Sequence, residues 1–123
     1  MDTLTPQEVA KPQRIQLSRA KGWRMPPNTV KVSRPGKWGN RFRIGDTAEV
    51  WGDPGVVRFV PIKDAATAVQ LFEQWLRLHL EQHPKIMRPA LDELRGRNLA
   101  CWCKPGTPCH ADVLLRLANE GNP

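Results

Sequence analysis

Cys101, Cys103, Cys109 and His110 fall within ten residues, spaced C-x-C-x5-C-H. Three thiols and one imidazole make a complete ligand set for tetrahedral zinc. The spacing departs from a pair of C-x-x-C knuckles, and the adjacent Cys109 and His110 are an awkward pair for one ion. The same residues suit nucleophilic or redox chemistry. A thiol at the start of a helix is acidified by the helix dipole, and a neighbouring imidazole can act as its base. Cys109 and His110 are therefore the catalytic candidates if the chain turns over a substrate. The third reading is structural: Cys101 and Cys103 are small buried residues of a core strand. Residue types leave the three readings open. No carboxylate pair or complete triad accompanies the thiols, so the sequence does not decide whether this is an enzyme.

A second segment carries chemistry of another kind. Arg34-Pro35-Gly36-Lys37-Trp38-Gly39-Asn40 packs two cations, an aromatic ring, two glycines and an amide into seven positions. Glycines let a backbone approach a ligand closely. Arg34 can hold phosphate through parallel hydrogen bonds, with Lys37 beside it. Trp38 can stack on a base and Asn40 can read polar edges. The competing reading is a surface turn with a Trp lid packed on the core.

The surrounding pattern says what must position these groups. Thr29–Val32 alternates as a strand, and Ala48–Trp51 and Val56–Val60 flank Gly52-Asp53-Pro54-Gly55 as a hairpin. Asp64 caps a helix expected from about Ala65 to Gln82, stopped by Pro84, with an apolar face wide enough to be buried against a sheet. A shorter helix is expected from near Pro89 to Gly96. Asn98–Cys103 reads as a buried strand, with Cys101 and Cys103 on one face and Trp102 on the other. A last helix is expected from about His110 to Asn119. The fold class is α/β: a small mixed sheet covered by two to three helices in a single compact domain. Residues 14–121 form that domain, and residues 1–13 read as a flexible tail.

In 123 residues the net charge is +7, and its distribution matters more than its size. Residues 11–43 hold ten basic side chains and no Asp or Glu, a block that attracts phosphate. No apolar run is long enough to span a bilayer, and Met1–Pro12 lacks the core of a signal peptide. Three clustered cysteines do not make a secreted disulfide scaffold. A cytoplasmic protein without membrane contact is expected. The sequence assigns no oligomeric state.

Both segments belong to one resemblance. Arg14-Ile15-Gln16, Lys21 to Pro26, Arg34 to Asn40, and Leu94 to Cys103 followed by Cys109 to Leu114 resemble the family called domain of unknown function 4326, found in small phage and bacterial proteins. The resemblance marks the Trp-Gly-Asn and Cys-Trp-Cys…Cys-His segments as characteristic and implies a phage or mobile-element setting. Arg41 before Phe42, and Ser33, depart from its usual pattern.

The leading expectation is binding, with or without processing, of a nucleotide or other phosphate-bearing ligand between the Arg34–Asn40 loop and the start of the last helix. Cys101, Cys103, Cys109, His110 and Asp112 would face that ligand. A zinc-stabilised nucleic-acid-binding module is the alternative, and a small interaction or inhibitor protein without catalysis is the third.

Overall fold

The computed structural model describes residues 12–51 and 57–120. Most of the expected tail and the Gly52–Gly55 turn lie outside the described residues. Among the described residues there are five strands and three helices: β1 Arg14–Gln16, β2 Thr29–Lys31, β3 Thr47–Trp51, β4 Val57–Pro61, α1 Ala65–Gln82, α2 Pro84–Asp92, β5 Asn98–Cys101 and α3 His110–Asn119. They form the mixed α/β domain that the pattern implies.

One three-stranded sheet has the order β1-β5-β2, and both pairings are parallel. This sheet positions the chemistry. All three strands run the same way, so the segments leaving β2 and β5 emerge at the same carboxyl end. Gln16 lies opposite Cys101, and Lys31 opposite Ala100. Leu17 and Val32 extend the ladder by donating to the carbonyls of Cys101 and Ala100, both at 2.8 Å. The Arg34–Asn40 loop and the Cys103–Cys109 loop are therefore neighbours by topology.

Central β5 is apolar because both its faces are covered. Leu99, Ala100 and Cys101 are buried with Leu114, Leu117 and Val113 of α3. Removing the Leu114 side chain, which is fully buried, is expected to cost about 3 kcal/mol by urea unfolding.

The hairpin β3–β4 forms a separate two-stranded sheet. Ala68 and Leu71 of α1 pack with Ala48 and Ile62 there. The opposite side of α1 presents Phe72 and Leu76 to the core shared with α2 and α3. The wide apolar face thus serves a small sheet on one side and helices on the other. Asp64 caps α1 as expected, accepting from Thr67 N–H at 2.8 Å.

The second helix differs from expectation. It begins at Pro84, not near Pro89, and ends at Asp92. Pro84 does not merely stop α1. It occupies the first turn of the next helix, where its missing N–H costs nothing. Pro89 lies inside α2 at the expense of one hydrogen bond. β1 was not legible as a strand, being three residues on a sheet edge.

Candidate functional site: a thiol-floored cleft

The loop after β2 folds tightly on itself. Gly36 N–H donates to Ser33 O at 3.1 Å and Gly39 N–H to Gly36 O at 2.9 Å. A Cβ on Gly39 would lie 2.8 Å from Arg34 Cα, so only glycine fits against that backbone. Gly39→Ala is expected to destabilise the chain by about 1–3 kcal/mol and to displace Arg34. Urea unfolding and the phosphate titrations described below read the two effects separately.

The loop's side chains divide in two directions. Trp38 points inward, 8% exposed, and belongs to the main core. It does not line the cleft. Stacking of a ligand on Trp38 does not fit this placement; the lid-on-core alternative does. Lys37 sits 3.6 Å from Glu93 and does not line the cleft either. Asn40 is buried. Its Nδ2 donates to Ala68 O at 3.1 Å and its Oδ1 accepts from Phe42 N–H at 2.9 Å, which ties the loop to α1. Arg34 remains exposed at the cleft edge. Among the described residues no carboxylate pairs with it.

The cleft has a volume of about 290 Å³ and lies at the carboxyl end of the parallel sheet. That is where open α/β sheets place ligands. Ser33, Arg34 and Asn40 border it from one side, and Cys101, Trp102, Cys103, Cys109 and His110 from the other. None of the lining residues is acidic. The Ser33 hydroxyl is buried and has no hydrogen-bond partner. An unpaired buried hydroxyl is costly unless something fills the site.

The thiols form the floor. The three Sγ atoms of Cys101, Cys103 and Cys109 lie within 4.8 Å of one another. All three cysteines are free, and Cys101 and Cys109 are 1% exposed. Cys109 lies 2.9 Å from Cys101. The hydrogen bond from Cys109 lowers the Cys101 thiol to about 6, outweighing burial. The same bond, then burial, pushes Cys109 well up. Burial raises Cys103. Spacing pointed to Cys109 as the acidified thiol because it caps α3. The adjacent sulfur outweighs the helix dipole.

His110 is 7% exposed, and its Nε2–H donates to Val32 O at 2.6 Å. Burial lowers its pKa, and its Nδ1 lies 3.9 Å from Cys109 Sγ. His110 is not part of the three-thiol group. Asp112 does not enter the cleft. It is exposed and pairs with Arg14 at 2.9 Å.

Two site residues were missed by sequence reasoning. Arg14 reaches across from β1 and donates to Thr107 O at 2.8 Å, Lys104 O at 3.0 Å and Asp112 Oδ2 at 2.9 Å. It fixes the loop between Cys103 and Cys109. The second is Trp102, 41% exposed on the cleft lip with the Arg19 guanidinium 4.5 Å from its ring centre. Strand alternation set Trp102 apart from the cysteines, and only the fold shows its ring facing outward at the cleft.

Fold and site together define a small α/β domain whose parallel sheet ends in a largely apolar cleft floored by cysteines and bordered by Arg34. The family Domain of unknown function (DUF4326) matches residues 15–120, and the chain belongs to it. It is also similar to an uncharacterised 12.4 kDa protein of the nrdA-td intergenic region of Enterobacteria phage T4, with 34% identity over 61 residues. That alignment covers 47% of this chain and 55% of the phage protein, so the match spans about half of each. No solved structure matches the chain. Among the described residues no helix is long and apolar enough to cross a membrane.

Proposed function

We propose that this domain binds a phosphate-bearing small molecule of the nucleotide class in the cleft between the Arg34–Asn40 loop and the start of α3. One observation carries the reading: Arg34, whose guanidinium pairs with no carboxylate among the described residues, and Ser33, whose buried hydroxyl has no partner among them, line the same carboxylate-free cleft. Arg34 holds phosphate and Ser33 Oγ donates to it. Trp102 takes the stacking part that spacing alone gave to Trp38. A nucleobase on an exposed ring gains about 1–3 kcal/mol.

Thermal shift and calorimetry test this, using inorganic phosphate, pyrophosphate and nucleoside mono- to triphosphates. At one hundred times its Kd a true ligand raises stability by about 2.7 kcal/mol. Its affinity should depend weakly on salt. A panel without any stabilising phosphate compound overturns the proposal.

A second reading is favoured by the thiol geometry: a zinc-stabilised module. The donor set suits zinc, and the exposed Arg19, Lys21, Arg24, Lys31, Arg41 and Arg43 are available to a nucleic-acid backbone. On this reading chelation of the purified protein lowers its melting temperature, and metal analysis finds one zinc per chain. Nucleic-acid affinity then falls steeply with salt, with a log–log slope of several units. A metal-free protein that melts identically with and without chelator sinks this reading.

A further inference from the structure

We propose that Cys101, Cys103 and Cys109 bind one divalent cation of the zinc class with a fourth coordination position that faces the cleft. A phosphate oxygen of the bound ligand, not His110, completes the tetrahedron. The inference deepens both readings above and rests on the metal reading.

Three thiolates at about 2.3 Å from zinc have sulfurs about 3.8 Å apart. The three sulfurs lie within 4.8 Å of one another, and those of Cys101 and Cys109 are 2.9 Å apart. Small side-chain shifts bring them to that separation. All three thiols line the cleft, so a cation among them has an open side. Three protein ligands with one exchangeable position is the pattern of reactive rather than structural zinc.

His110 is the competing fourth ligand. It stands outside the three-thiol group, and with Nε2–H bound to Val32 O at 2.6 Å only Nδ1, 3.9 Å from Cys109 Sγ, is left to ligate. The unpartnered Ser33 hydroxyl on the facing wall points independently to a ligand in the same space. Charge fits as well. A divalent ion with three thiolates carries −1 and would repel phosphate. Arg34 on the cleft, Arg14 behind the Cys103–Cys109 loop, and the N-terminus of α3 supply the opposing positive potential. The Arg14 charge is partly offset by Asp112. On metal binding the thiols enter as thiolates, and their protons leave to solvent.

Cobalt(II) titration of the reduced full-length chain tests the proposal. One cobalt should bind, with sulfur-to-cobalt charge transfer that weakens by about a third in Cys103→Ser. Inorganic phosphate should then shift the d–d bands saturably, in the parent and in His110→Asn alike. X-ray absorption of the zinc form should count three sulfurs and one oxygen, which keeps the test decisive if His110→Asn does not fold. Three sulfurs plus an imidazole, with bands indifferent to phosphate, overturns the open position. Failure of the reduced chain to bind cobalt or zinc overturns the metal site. Phosphate calorimetry on that metal-free protein then still reports on the anion cleft alone, so the two failures are distinguishable.

Discussion

Arg34→Ala is expected to weaken phosphate and nucleotide binding by roughly ten- to a hundredfold while leaving the unfolding midpoint nearly unchanged. The reasoning rests on what Arg34 does in the free protein. Its guanidinium is exposed and pairs with no carboxylate among the described residues. Removing it therefore breaks no ion pair or side-chain hydrogen bond among the described residues. A hydrogen bond to a charged group is worth about 1.5–3 kcal/mol, and every 1.4 kcal/mol is a factor of ten in Kd. Arg34→Lys keeps the charge but loses the paired donors, and is expected to recover only part of the affinity. Trp38→Ala should behave in the opposite way. It excavates the core, where Trp38 is 8% exposed, and costs about 3–5 kcal/mol of stability, so any loss of binding there follows unfolding. Trp102→Ala should weaken nucleotides but not inorganic phosphate. Calorimetry of the four variants against both ligands checks the set. Equal affinity of the parent and Arg34→Ala for every phosphate compound would remove Arg34 from the site.

The contrast between the two tryptophans shows what the sequence can and cannot say. Local patterns located β2, the hairpin, α1, β5 and α3, because each rests on periodicity, caps and breakers within its own span. They also identified the two segments that the parallel sheet brings to one cleft. Side-chain direction in irregular loops has no such period. Trp38 turns inward because the loop closes on itself at Gly39, against Arg34. Trp102 faces the cleft because β5 ends at Cys101 and strand alternation ends with it. Pro84 reads in the sequence only as the stop of α1, and Pro89 as the next helix start; packing of α2 against α1 and α3 puts that start at Pro84. Arg14 was one of ten cations in an acid-free block. Nothing local separates it from Lys21 or Arg24, since its three acceptors lie 90 to 98 residues away.

That distance makes Arg14→Ala the most informative of the scaffold variants. The Arg14 side chain is 12% exposed, and it joins edge strand β1 to the carbonyls of Lys104 and Thr107 and to Asp112. Truncation removes a donor from each carbonyl; Lys104 O keeps Thr107 Oγ1–H at 2.6 Å, and Thr107 O must find another. The ion pair itself counts for less, because Asp112 is 56% exposed and water screens it. About 2–3 kcal/mol of destabilisation follows from the two carbonyl contacts, and Asp112→Asn should cost under about 1 kcal/mol. The further consequence concerns the thiols. Lys104–Pro108 is the span between Cys103 and Cys109, so loosening it lets the sulfurs drift apart. Residues that orient ligands from behind typically change metal affinity about ten- to a hundredfold. Arg14→Ala should therefore weaken cobalt binding by that factor under conditions where the variant is still folded, while Asp112→Asn leaves it nearly intact. Urea unfolding and cobalt titration on the same preparations separate the effects. A variant that loses stability yet holds cobalt as tightly as the parent would show that the sulfurs are positioned by β5 and α3 alone, with the loop a passive connection between them.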